Sequence, residues 1–129
     1  MIIRVHTPED LGQLQHLKNK KNILTRFVMN GCPWCVKTQP DWDRACNQAS
    51  PLLTADDAIA EIESSFVDDF RNTVNNNVRV EGFPTIMMIK GPKVITHEAR
   101  DTASIVKLLK QVKKSRKKGG RKRRTRRLH

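Results

Sequence analysis

VRVEGFPTIMMIK, residues 78–90, sets a Gly-Phe-Pro-Thr turn, Gly82 to Thr85, directly before an apolar run of strand character. Gly91 and Pro92 end that run, and KVITHE beyond them predicts an antiparallel return strand. The turn gains its meaning from a second stretch about fifty residues upstream, NGCPWCVKTQPDW at residues 30–42. There Cys32 and Cys35 stand at C-x-x-C spacing ahead of a predicted helix. Three readings of the pair compete: a redox couple, half of a metal site, or two unreactive neighbours.

Length and charge narrow the choice. The 129 residues, 37% of them hydrophobic, make one domain of ordinary size. The formal net charge of +12 is concentrated at one end. All 13 acidic residues lie between Glu9 and Asp101, beside 14 Lys and Arg, so residues 1–112 are close to neutral. The other 11 basic residues are Lys113, Lys114, Arg116, Lys117, Lys118, Arg121, Lys122, Arg123, Arg124, Arg126 and Arg127. No acidic residue interrupts them, and the composition predicts a disordered basic tail over residues 113–129.

The opening, MIIRVHTPEDLG, lacks a basic start followed by an apolar run, and no stretch approaches the roughly eighteen apolar residues of a membrane span. The expectation is an intracellular protein, cytoplasmic or nuclear, without a membrane span. Three cysteines are an odd count, which argues against a disulfide scaffold.

Along the chain, MIIRV predicts a short strand, and Thr7, Pro8 and Glu9 start a helix through EDLGQLQHLKNK. NILTRFVM predicts a strand ending at the turn residues Asn30 and Gly31. Trp42, Ala45, Cys46 and Ala49 recur at helical spacing until Ser50 and Pro51, while Pro40 should kink that helix. AIAEIES alternates as a strand does, and Phe66, Val67, Phe70 and Val74 share a helical face. Ile105, Leu108, Leu109 and Val112 mark a last helix. Strands alternating with helices and closing on a hairpin predict an α/β domain, a central mixed β-sheet flanked by helices on both faces.

At the start of a helix, free backbone N–H groups and the helix dipole favour a thiolate on the first cysteine. Cys32 would then attack a substrate disulfide, and Cys35, one turn on, would resolve the mixed disulfide. Pro33 suits the first helical position. Trp34 would stand exposed beside the thiol. A structural zinc site needs two further ligands, yet His6, His16, His97 and His129 lack ligand spacing, so no metal is expected.

The two motifs together resemble the thioredoxin superfamily. The resemblance runs from ILTRFV through C-x-x-C, with Pro40 and Trp42 beyond it, to V-x-G-F-P-T at Val80–Thr85, and covers residues 1–112. It implies a thioredoxin fold and a thiol–disulfide oxidoreductase that needs no cofactor beyond a redox-active Cys32–Cys35 disulfide. Protein substrates with thiols or disulfides are the implied partners. It also implies a cis bond before Pro84, with Asn30, Gly31, Trp34, Phe83, Pro84 and Thr85 around a groove for an extended peptide. Lys37 sits where the family often has a lysine, and Arg100 resembles an arginine that disulfide isomerase modules move toward the resolving thiol.

Three positions depart from the family. Arg26 stands where a buried acid usually helps move a proton from the resolving thiol, so it must reach solvent or find an acidic partner. Pro-Trp between the cysteines is nearer to the glutaredoxin dipeptide than to that of thioredoxins or disulfide isomerases, which keeps a glutaredoxin-like enzyme as a lesser alternative. Glu98 replaces a common glycine. Cys46, on the Trp42 stripe, is expected to be a buried, inert thiol.

The basic run would attract nucleic acid or another polyanion without sequence preference, since it has no aromatic residue to stack on bases. RKRRTRR also fits a nuclear import signal. An oxidoreductase so equipped would suit a cytosol-assembling DNA virus and its virion. The competing reading is a non-catalytic thioredoxin-fold scaffold whose tail does the binding.

Overall fold

A computed structural model of the chain describes residues 1–111. Five strands, β1 (Ile2–Val5), β2 (Asn22–Val28), β3 (Asp57–Glu63), β4 (Thr85–Lys90) and β5 (Lys93–His97), form one sheet in the order β1-β3-β2-β4-β5. β1 and β2 both run parallel to β3, whereas β4 is antiparallel to β2 and to β5. The sheet is therefore mixed, and the last two strands make the hairpin expected around Gly91, whose φ is 59°.

All seven residues of β2 and all seven of β3 are buried. That is the pattern of central strands covered on both faces. One face carries Ile23, Phe27, Ala58, Ala60, Ile62, Met87 and Ile89, packed against Leu14, Leu17, Phe66 and Phe70. Phe27 and Phe70 meet edge-on with ring centroids 5.3 Å apart. The opposite face carries Leu24, Ile59, Ile86 and Met88 under Trp42, Ala45, Cys46 and Ala49 of helix α1 (Pro33–Ala49) and under Ile105, Val106 and Leu109. The last three belong to the helical segment 102–111. Thr102 donates its amide and hydroxyl to Asp41 Oδ1 at 3.2 and 2.9 Å, tying that segment to α1.

Helix α2 (Val67–Thr73) follows β3 after one short 3₁₀ turn. The predicted first helix forms over Pro8–Leu17, but as a 3₁₀ helix. Its start is held by Asp10, whose carboxylate accepts from the amides of His6 and Thr7 at 3.0 Å. Only Leu14 and Leu17 are buried along it. So little apolar surface gives packing weak leverage to impose α geometry. Pro40 does not interrupt α1. It lies on the exposed side of the helix, where the carbonyl deprived of its partner can turn to water. The expectations for Val112 and for residues 113–129 lie outside the described residues.

Candidate active site

Gly31, with φ of 79°, turns the chain out of β2, and Cys32 caps α1 in extended geometry. Pro33 takes the first helical position, where no N–H is needed. The Cys32 sulfur accepts the amide of Cys35 at 3.1 Å, the role a serine or aspartate usually fills at a helix start. Its own S–H points to the carbonyl oxygen of Phe83, 3.6 Å away. The Phe83–Pro84 peptide is cis. The sequence-separated motifs thus meet: Val28, Cys32 and Cys35 form a small buried cluster with Phe83 packed on it.

A cavity of about 360 Å³ lies next to the motif, with Arg26, Trp34, Phe83, Pro84, Glu98 and Arg100 among its lining. Cys32 and Cys35 do not line it. Trp34 is 55% exposed. Lys37 Nζ lies 4.8 Å from its ring centre and the Arg100 guanidinium 5.8 Å. The structure thus places Arg100 on Trp34 and 3.7 Å from Glu98, at the mouth of the cavity.

Arg26 finds both kinds of partner that its burial demands. It is 1% exposed, yet Nη1 donates to Gln39 Oε1 at 2.8 Å, and Nη2 to the Cys35 carbonyl and to Thr38 Oγ1 at 2.9 Å each. The Glu61 carboxylate lies 3.9 Å away. Burial pulls the guanidinium down from its ordinary range, and Glu61 pushes it back up. An arginine remains charged under such opposition.

Glu61 is the member that sequence reading passed over. Register puts Arg4, Glu61 and Arg26 side by side on β1, β3 and β2. Glu61 accepts Arg4 Nη1 at 3.0 Å and Gln39 Nε2 at 3.2 Å, and its other oxygen meets His6 Nε2 at 2.9 Å. The signal lay in AIAEIES, where Glu61 stands between the branched residues Ile59 and Ile62 of a strand.

Burial pushes the Cys35 thiol up, and its contact with Cys32 adds to that, while the Arg26 charge pulls it down. Cys46 sits 3% exposed on the buried face of α1, and burial pushes its thiol up to about 11. All three cysteines are free thiols in this structure. Among the described residues no three His, Cys, Asp or Glu side chains converge as metal ligands. No described helix is long and apolar enough to cross a membrane.

The thioredoxin family model matches residues 6–114. The chain belongs to the thioredoxin family. No curated protein matches this sequence. Among solved structures, the J-Trx1 fragment of ERdj5 superposes with a TM-score of 0.62 at 16% identity, over 85% of this chain and 50% of that one. The first thioredoxin domain of mouse protein disulfide-isomerase A4 gives 0.62 at 18% identity, over 84% and 73%. Chloroplastic thioredoxin z gives 0.58 at 16%, over 88% and 96%. This chain therefore spans half the length of the ERdj5 fragment, and at these identities the likeness shows the thioredoxin fold.

Proposed function

We propose that this chain is a thiol–disulfide oxidoreductase that acts on protein disulfides through Cys32 and Cys35. The observation that carries the reading is the Cys32 sulfur at the N-cap of α1, 3.1 Å from the Cys35 amide and facing the Phe83 carbonyl at the edge of an open groove. The Cys32 thiolate attacks one sulfur of a substrate disulfide, forming a mixed disulfide and expelling the other sulfur as a thiolate that takes a proton. The Cys35 thiolate then attacks Cys32, closing the Cys32–Cys35 disulfide and releasing the second substrate thiol. Two electrons pass to the substrate, and a dithiol donor restores the pair. The reverse sequence oxidises a substrate dithiol, and the potential of the pair decides which direction runs.

Trp34 and Phe83 offer apolar faces to a peptide, and Lys37 and Arg100 modulate its approach. Thr85 pairs with Phe27 of β2, while the β4–β5 pairing begins only at Ile86, so backbone on that side is free for an extended substrate segment. The test is multi-turnover reduction of a protein disulfide by a dithiol donor. Cys32→Ser abolishes it, and Cys35→Ser accumulates mixed disulfides. Full turnover by Cys35→Ser sinks the reading.

The 11 basic residues of 113–129 favour a second role beside the first, association with nucleic acid or another polyanion. If about six of them meet phosphates, the log–log salt slope of binding is on the order of −5. A full-length protein that binds duplex and single strands no better than one truncated after residue 112 removes this role.

A further inference from the structure

The most unusual group near the thiols is a full positive charge with almost no access to water. Arg26 spends its close hydrogen bonds on three neutral oxygens, those of Gln39, Thr38 and the Cys35 backbone, at 2.8 to 2.9 Å. Its nearest carboxylate oxygen, on Glu61, stands farther off at 3.9 Å and is shared with Arg4 Nη1 at 3.0 Å. The guanidinium is therefore held in place but only partly neutralised. One of its anchors, at 2.9 Å, is the carbonyl of the second cysteine itself. Facing it are Glu61 from β3, with Arg4 and His6 behind that carboxylate, and Asp43 and the two thiols from α1.

We propose, on the redox reading above, that Arg26 is a positioning residue that biases the Cys32–Cys35 pair toward its dithiol form, and that Glu61 sets how much of its charge the thiols feel. A fixed positive charge in a poorly solvated site stabilises a thiolate and does nothing comparable for a neutral disulfide. The reduced state gains, and the pair becomes more oxidising. Glu61 opposes this by lending a compensating negative charge. Arg26 also holds the first turns of α1 in register over β2, since all three of its acceptors lie between Cys35 and Gln39.

The two residues therefore act with opposite sign, which a purely structural role cannot reproduce. Arg26→Met removes the charge at similar volume, and Glu61 keeps Arg4 and His6 as partners. Glu61→Gln keeps hydrogen-bonding capacity and removes the opposing charge. The measurement is the thiol–disulfide equilibrium of full-length protein in glutathione buffers. The expected result is a shift of about tenfold toward the disulfide for Arg26→Met, which is about 30 mV more reducing for a two-electron couple. Glu61→Gln shifts toward the dithiol, and Arg26→Lys stays closer to wild type than Arg26→Met does. If Arg26→Met fails to fold, Arg26→Gln replaces it under the same criteria. Shifts of both charge-removing variants in one direction, or Arg26→Met (or its Arg26→Gln replacement) within about twofold of wild type, overturn the proposal alone. A wild-type pair that never closes overturns it together with the redox reading.

Discussion

Cys32 Sγ accepts the amide of Cys35 at 3.1 Å, so one sulfur is at once the proposed nucleophile and the cap of the helix that carries its partner. The two roles separate on substitution. Cys32→Ser puts a better capping oxygen in the same place and should leave the denaturation midpoint of the reduced protein unchanged or raised, with turnover abolished. Cys32→Ala loses the cap as well and should cost about 1 kcal/mol. Urea titration of the two variants checks this. Equal loss of stability in both would mean the 3.1 Å contact contributes nothing to the helix.

The resolving step should depend steeply on pH. Burial is the largest cause that holds the Cys35 thiol above its ordinary value of 9.0, and it persists when Cys32 is tied up in a mixed disulfide. The attacking species is the thiolate, so at neutral pH nearly all of Cys35 is in the wrong form. The decay of a mixed disulfide on Cys32 should therefore accelerate about tenfold per pH unit between roughly pH 6.5 and 8.5. Stopped-flow decay of a chromogenic mixed disulfide reports it directly. A flat profile would place another group in charge of the proton.

Both loop motifs could be read from the chain because each is a local pattern: a C-x-x-C opening a helix, and Gly82-Phe83-Pro84-Thr85 entering a strand. Their meeting, at 3.6 Å between Cys32 and Phe83, came from the family resemblance. Arg26 stood out against the family resemblance as a charge where a buried acid is usual, and its need for solvent or an acidic partner followed from desolvation. The identity of that partner did not, because Glu61 reaches it through the register of β2 on β3, from 35 positions along the chain. Registers of this kind depend on which faces are buried across the whole sheet. AIAEIES looked half polar in isolation, yet every residue of it from Ala58 to Glu63 is buried. The α geometry expected at Pro8–Leu17 failed for a related reason, since the composition permits a helix and only packing would choose its pitch.

Trp34 should matter to substrates and hardly to the fold. It is 55% exposed, and its packing partners are the cations of Lys37 and Arg100 at 4.8 and 5.8 Å. Such exposed contacts contribute about 0.5–1 kcal/mol each. Trp34→Ala should therefore change unfolding free energy by no more than about 1–2 kcal/mol. The KM for a peptide disulfide should rise roughly five- to tenfold, with kcat within about twofold. Steady-state kinetics and a urea curve on the same sample separate the two. A fall in kcat at constant KM would move Trp34 from peptide contact to the sulfur chemistry.

Cys46 should make the reduced protein sensitive to alkali. Its thiol is pushed from 9.0 up to about 11 because it is buried on the sheet-facing side of α1, in the cluster with Trp42, Ala45 and Ala49. The sign follows from proton binding: the folded state keeps a proton that the unfolded state gives up first, so this stabilisation is complete below the unfolded value and is lost as pH rises through the folded one. Two pKa units correspond to about 2–3 kcal/mol, on the order of what should disappear between about pH 8.5 and 11. Cys46→Ala forfeits some packing at neutral pH but has no thiol to ionise, so the stability difference between it and wild type should shrink as pH rises. Cys35 titrates in both proteins and cancels from the comparison. Urea unfolding of each at three or four pH values, under reducing conditions, measures the difference. A gap that stays constant across that range would show that the Cys46 thiol ionises as readily in the folded chain as in the unfolded one.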